Sequence, residues 1–302
     1  MTTVSSASMR FTHPRRSCLS VPAINQRALD KTHGLECDVV IFDLEDSVAT
    51  EKKSEARDNL RRFFRETPRE GAERVIRING ADTEFRGKDL DLILELQPDA
   101  VLLPKVGDAA EIRATTKFLS GSAADVRLWA MIETPSGVLN AASIAGAARD
   151  TDGKLDCLVL GLNDLRKETG VPPEPGRTYL VPWMMQVVLA ARVHGLDVID
   201  SVFNDFRDEA GFSAECAQGR LMGFDGKMLI HPSQIMNANE SFGPSPQAIA
   251  EAQAIIAAFA DPGVKDRNVI NMDGRMVERL HLEQAEKLVA KAKQISLRKR
   301  KT

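Results

Sequence analysis

The sequence predicts an α/β protein built as a closed (β/α)8, or TIM, barrel with a C-terminal helical and hairpin extension. Three observations carry this expectation. Eight short apolar runs of strand length alternate with segments of helical spacing, and a chain of 302 residues can hold such a barrel, which commonly takes about 250. The runs are apolar on both faces, as in a parallel sheet covered by helices. Finally, no GxGxxG turn follows an early strand, which removes the main signature of an open dinucleotide-binding sheet.

In chain order, residues 1–14 are polar and Ser/Thr-rich and are expected to form a flexible arm. SCLSVP (17–22) is the first strand, closed by Pro22, and NQRALDKTHG (25–34) is a helix ending at Gly34. CDVVIFDLEDS (37–47) is an apolar strand that breaks into acids at Asp43, Glu45 and Asp46. The later strands are ERVIRING (73–80), DAVLLPKV (99–106), RLWAMIETP (127–135), DCLVLGLND (156–164), LDVIDSVFND (196–205) and GKMLIHP (226–232). Among the helices, KDLDLILELQ (88–97) is one and WMMQVVLAARVHG (183–195) is clearer. In the latter, Trp183, Met184, Val187, Val188 and Ala191 share a face before Gly195 ends it. The barrel is thus placed at 15–242.

Residues 243–302 exceed what a barrel needs and are expected to form a lid or an oligomer contact. SPQAIAEAQAIIAAFA (245–260) reads as an Ala-rich helix with Ser245 as cap and Pro246 in the first turn. A hairpin then turns at Met272-Asp273-Gly274, and a helix from about 280 to 295 leads to a basic end.

Net charge is −3 and only 5% of residues are aromatic, so there is neither a basic footprint nor a stacking surface for nucleic acid. The four cysteines lie far apart with no CxxC pair, which suits a reduced, cytoplasmic protein. No membrane span or signal-peptide pattern is present. The expected partner is a small molecule.

Barrel active sites sit at the C-terminal strand ends. Read in order, these ends are Pro22, Asp43 with Glu45 and Asp46, Arg77, Lys105, Glu133, Asp164, Asp200 and His231. Glu133 and Asp164 are the candidate metal ligands, since carboxylates without His or Cys neighbours suit Mg2+, or Mn2+, with water or substrate filling the shell. The alternative is that both only mark helix starts. Glu45 and Asp46 are placed to hold the metal's waters. Arg77 either clamps a carboxylate or enolate oxygen or is paired with Asp43 or Asp46. A Schiff-base role for Lys105 is disfavoured, because nearby acids raise rather than depress its pKa. Asp200 and His231 read equally as structural residues of the strand exits.

The motifs SCLSVP, FDLEDSV, RING, LPKV, IETPSGV, GLNDL and GFDGKMLIHPSQI, in this order from about Arg16 to Gln234, resemble the HpcH/HpaI aldolase and citrate lyase beta-subunit family, in its CitE-like branch of CoA-ester lyases. The resemblance implies a barrel in trimers or hexamers that makes or breaks a carbon–carbon bond between an acyl-CoA and a 2-oxo acid. It implies Glu133 and Asp164 as Mg2+ ligands, Arg77 and Glu133 at the substrate, and Glu45 and Asp46 near the metal's waters. The family's lid carries a catalytic aspartate in a motif like GKMID and reaches a neighbouring subunit; here GRMVERL puts Glu278 at that position, with Asp273 a second candidate. A Mg2+-dependent lyase of malyl-CoA, citramalyl-CoA or a citryl thioester is the leading expectation. A thioesterase on the same esters and a non-catalytic binding or scaffold subunit are the alternatives. A true citrate lyase would also require acyl-carrier and transferase subunits.

Overall fold

A computed structural model describes residues 14–69, 71–123, 125–264, 267–272 and 274–299. Nearly all of the expected N-terminal arm, together with Asp273, lies outside the described residues.

Among the described residues, eight parallel strands close into a barrel in sequence order, as the sequence predicts. They are β1 (Ser17–Pro22), β2 (Val39–Asp43), β3 (Glu73–Arg77), β4 (Ala100–Leu103), β5 (Arg127–Ile132), β6 (Leu155–Leu160), β7 (Asp197–Asp200) and β8 (Gly226–Leu229). Closure is made by β1 against β8, with Cys18 opposite Met228. A register shift between Leu128 and Trp129 interrupts the β5–β6 pairing.

The strand period of two sorts the side chains into two cores. Val39 and Ile41, Val75, Ala100 and Leu102, Trp129 and Met131, Cys157 and Val159, Ile199, and Met228 fill the barrel interior. Their neighbours Val40, Phe42, Ile76, Val101, Leu128, Leu158 and Val198 pack outward with the helices. The amphipathic helices therefore cover a sheet that is apolar on both sides, which is why the strands read as unbroken apolar runs.

Chain breaks and caps follow local chemistry. Asn25 caps helix Gln26–Lys31 by accepting the Ala28 N–H at 3.1 Å. The helix expected at 183–195 runs Val181–His194 and ends on Gly195 at φ 69°. Its buried face holds Met184, Val187, Val188 and Ala191, with Trp183 half-buried.

The barrel floor is closed by charge. Arg15 is buried over the Trp129 ring, 4.7 Å from its centroid. Its guanidinium donates to Glu73, to Asp156 at 2.6 Å and to Asp197 at 2.9 Å. No helix among the described residues is long and apolar enough to cross a membrane.

The chain divides into two compact units, one of them Arg15–Phe242. In the other, helix Pro246–Ala260 begins on its Ser245 cap, whose hydroxyl accepts the Ala248 N–H at 3.1 Å. The expected hairpin is present as β9 (Val269–Met272) paired antiparallel with β10 (Arg275–Glu278), and helix Arg279–Lys299 follows. Phe259, Ile270 and Val277 form this unit's small core.

Candidate active site

The residue two positions beyond the last inward apolar residue of a strand points into the space above the barrel core. Applied strand by strand, this gives Ser20, Asp43, Arg77, Pro104, Glu133, Gly161, Ser201 and Ile230, and all but Pro104 line one cavity of about 380 Å3. Asp46, Ser47, Asn163, Asp164 and Asn204 from the exit loops complete its polar wall.

Asp43 is fully buried and forks onto Arg77, which donates from Nε at 2.7 Å and from Nη2 at 2.6 Å. It also accepts the backbone N–H of Glu45 at 2.9 Å and of Ser47 at 3.1 Å, so one carboxylate fixes both the arginine and the turn after β2. Burial works against the charged form of Asp43, but the Arg77 charge and hydrogen bonds outweigh it and hold the carboxyl below its usual range. Arg77 is itself held above its ordinary value, because Asp43 and Glu45 more than offset its burial. The ion pair anticipated as the alternative for Arg77 is thus real, yet the guanidinium still lines the cavity, and Asp43 takes only two of its five donors.

Glu45 is buried between two cations, 3.0 Å from Arg77 Nη1 and 2.5 Å from Lys105 Nζ. Burial pushes its pKa upward against those partners. Asp46 is exposed, 3.6 Å from Lys105 Nζ, and is the one of the two that lines the cavity. The Lys105 ammonium loses some stability to burial, but Glu45, Asp46 and Glu133 hold its pKa above the ordinary value, which disfavours imine chemistry there.

Glu133 is fully buried immediately after β5. Its Oε1 accepts the Lys105 backbone N–H at 2.8 Å, an amide turned toward it by a left-handed backbone at Lys105 (φ 52°). Its Oε2 is buried with no hydrogen-bond partner. Burial pushes the carboxyl up to about 8, Arg77 opposes this, and the Glu45 and Asp164 charges add to it. Thr134, not Glu133, caps the next helix, accepting the Gly137 N–H at 3.0 Å, so the helix-start alternative for Glu133 is removed.

Asp164 lies half-buried in the first turn of helix Leu162–Thr169, and no side-chain cap starts that helix. The N-cap is Gly161, where a β-carbon would stand 2.4 Å from Glu133 Oε2 and 2.5 Å from Glu133 Cβ. Glycine is required here for space rather than for φ. Gly161→Ala is expected to displace the Glu133 carboxylate and weaken divalent-cation binding at least tenfold while the barrel stays folded, as measured by calorimetric titration beside a thermal melt.

The donor set fits a hard divalent cation. Two carboxylates face one cavity, and one of their buried oxygens lacks any partner. No group of three His, Cys, Asp or Glu suited to a metal occurs among the described residues, so Glu133 and Asp164 would hold such an ion with oxygens from water or substrate.

The remaining strand-end candidates are structural. Asp200 is fully buried and bound by Arg177 Nη1 at 2.7 and 2.8 Å and by Lys227 Nζ at 3.0 Å. His231 caps the 3-10 turn Pro232–Gln234 and stacks on Phe206 at 4.5 Å. Glu278 ends β10 in the C-terminal unit, half-buried, its N–H donating to His281 Nδ1 at 2.9 Å. Gly161 and Ser201 escaped the charge-based reading of the strand ends; the period-of-two rule finds both.

A family model for HpcH/HpaI aldolase/citrate lyase matches residues 16–232. A (3S)-malyl-CoA thioesterase of Cereibacter sphaeroides is 44% identical over 94% of this chain and 96% of its own. The mitochondrial citramalyl-CoA lyase of Mus musculus is 32% identical over 93% and 87%. Among solved structures, CitE of Mycobacterium tuberculosis in complex with magnesium, acetoacetate and coenzyme A has a TM-score of 0.73 and 29% identity, covering 92% of this chain and 97% of that one. With the motifs, the closed barrel and these end-to-end matches in agreement, this chain belongs to the HpcH/HpaI aldolase/citrate lyase family.

Proposed function

We propose that this protein is a Mg2+-dependent enzyme acting on a 3-hydroxyacyl-CoA of the malyl-CoA class, and that it hydrolyses the thioester. The observation that carries the reading is the 44% identity with a malyl-CoA thioesterase across nearly the whole of both chains. The glutamate at 278, where lyases of the family carry aspartate, supports the same choice, since one extra methylene moves the proton-transferring group. Mn2+ would serve in place of Mg2+.

A divalent cation bound here would supply Lewis-acid polarisation of substrate oxygen. Glu133 and Asp164 hold it, and Arg77 offers its remaining donors to substrate oxygen. Asp46 orients water at the cavity rim, and Glu45 acts indirectly, by fixing Arg77 and Lys105. Glu278 takes a proton from water as it adds to the thioester carbonyl. The tetrahedral adduct then expels the thiolate, which is protonated to CoA while the acyl group leaves as the free acid.

Carbon–carbon cleavage, the leading expectation from sequence, is the second reading, favoured by the 32% match to a citramalyl-CoA lyase. It uses the same groups differently: a base removes the hydroxyl proton, the bond to the thioester α-carbon breaks, and a 2-oxo acid and an acyl-CoA result. The protein works as a homo-oligomer, trimeric or hexameric, in which residues 243–302 form the lid that brings Glu278 to a neighbouring copy.

Malyl-CoA, citramalyl-CoA and citryl-CoA, each supplied with Mg2+ and with EDTA, separate these readings. EDTA-sensitive release of free CoA and a hydroxy acid without a 2-oxo acid is expected. Stoichiometric glyoxylate, pyruvate or oxaloacetate beside an acyl-CoA would make it a lyase, and absence of any turnover would revive the binding-subunit alternative. Glu278→Ala is expected to lower turnover by about a hundredfold or more with Mg2+ affinity unchanged. An equal loss of affinity would remove Glu278 from the proton-transfer role.

A further inference from the structure

Gly161 creates a problem that the fold must solve elsewhere. Because its β-carbon position is filled by Glu133, the helix carrying Asp164 cannot begin on Ser, Thr, Asp or Asn, the residues that normally satisfy its first N–H groups. The neighbouring strand supplies the acceptor instead. Ser201, 1% exposed and one residue beyond β7, accepts the Leu162 N–H on Oγ at 3.0 Å.

Ser201 is itself held by a rigid base. Its own N–H donates to Asp200 Oδ1 at 2.8 Å, and Asp200 is locked between Arg177 and Lys227, both buried. A second tie runs between the same two loops, where Asn204 Nδ2 donates to Asn163 Oδ1 at 3.0 Å and Asn163 Nδ2 donates to Asn204 Oδ1 at 3.2 Å. Asp164, by contrast, receives no hydrogen bond from the other described residues. Its carboxylate rides on a turn held from beyond β7 by Ser201 and Asn204 and from β5 by the Gly161 N–H, which donates to the Ile132 carbonyl at 3.1 Å.

We propose that Ser201 is a positioning residue for the cation site, a cap supplied from another strand that fixes the turn bearing Asp164 so that its carboxylate and Glu133 Oε2 converge on one ion. This deepens the function proposed above and rests on Asp164 being a metal ligand. It explains why a small hydroxyl residue stands at a strand exit where neither charge nor core packing calls for one. Partners that orient metal ligands typically account for about 10–100-fold in affinity.

The test is calorimetric titration of the full chain with Mn2+, comparing Ser201→Ala, Ser201→Thr and Asp164→Asn with wild type, with a metal-free thermal melt of each. The alanine variant is expected to bind Mn2+ at least tenfold more weakly with its melting temperature nearly unchanged. Threonine, which keeps the acceptor oxygen, restores the affinity. Wild-type affinity in Ser201→Ala, or equal weakening in the alanine and threonine variants, would overturn the assignment. Should the alanine protein fail to fold, Ser201→Cys, whose sulfur is a poorer acceptor, is expected to bind with intermediate affinity, and wild-type affinity there would overturn it equally. If Asp164→Asn binds as wild type does, the ligand reading itself falls and the positioning role with it; if Asp164→Asn loses binding while Ser201→Ala keeps it, only the positioning role falls.

Discussion

Glu133→Gln is expected to reduce Mg2+ affinity by at least about a hundredfold and to abolish turnover, and to do so without unfolding the barrel. The substitution keeps the shape and an acceptor for the Lys105 N–H but replaces the partnerless Oε2 of a carboxylate with a neutral amide group. A second signature separates this from a nonspecific defect. Burial holds the metal-free carboxyl up to about 8, so near pH 7 a cation must displace a proton to bind. Wild-type affinity should rise by up to about tenfold per pH unit toward pH 8 and level off above it. Calorimetry in buffers of different ionisation enthalpy should detect close to one proton released at pH 7 in wild type and none in the variant.

The same group fixes the sign of a stability effect. The folded-state pKa lies above its ordinary value of 4.5, so between that value and about 8 the folded chain binds more protons than the unfolded one. Metal-free stability therefore falls as pH rises through this window. Above pH 8 the metal-free glutamine variant should be the more stable protein. Proton release that is absent from wild type, or metal affinity independent of pH, would contradict the assignment of Glu133.

Arg77→Met is expected to destabilise the barrel by about 3–5 kcal/mol, the usual consequence of leaving one partner of a buried ion pair uncompensated. Asp43 is fully buried and depends on Arg77 for two of its four described hydrogen bonds. Glu45 would lose one of its two cations as well. Turnover should disappear with the side chain, and Arg77→Lys should not restore it, because a point charge cannot fork onto Asp43 and still face the cavity. Urea denaturation measures the loss. A double-mutant cycle with Asp43→Asn tests its origin, since the destabilisation should shrink markedly when the stranded charge is removed.

The barrel was legible because both signals it needs are local. Continuous apolar runs such as VVIF and LVL identify strands buried on both faces, and Gly195 or the Ser245-Pro246 pair mark where helices stop and start. Charged strand ends likewise pointed to Arg77, Glu133 and Asp164. What composition could not separate was which charges face the cavity and which are consumed by each other. Asp200 looks like Asp43 in sequence, following the apolar pair Val198-Ile199 as Asp43 follows VVIF, yet it is enclosed by Arg177 and Lys227, which a loop and a strand 23 and 27 residues away in the chain bring to it. Gly161 and Ser201 carry no charge and so gave no signal of that kind. Their importance arises from contacts across strands, Gly161 to Glu133 and Ser201 to Leu162, that only the closed barrel creates.

The charged floor has a consequence for how the chain reaches this state. Arg15 precedes the first strand, whereas its partners Glu73, Asp156 and Asp197 follow 58, 141 and 182 residues later. During synthesis the guanidinium emerges long before the last of them, so its desolvation can be compensated in full only once seven strands are available. The loop that must close is long, and its entropic cost grows only slowly with length, so the delay is one of order rather than of stability. Non-local closure of this kind slows folding and leaves strand edges open in the meantime. Arg15 thus acts as a late latch, partly satisfied once β3 brings Glu73 but fully rewarded only as the ring nears completion.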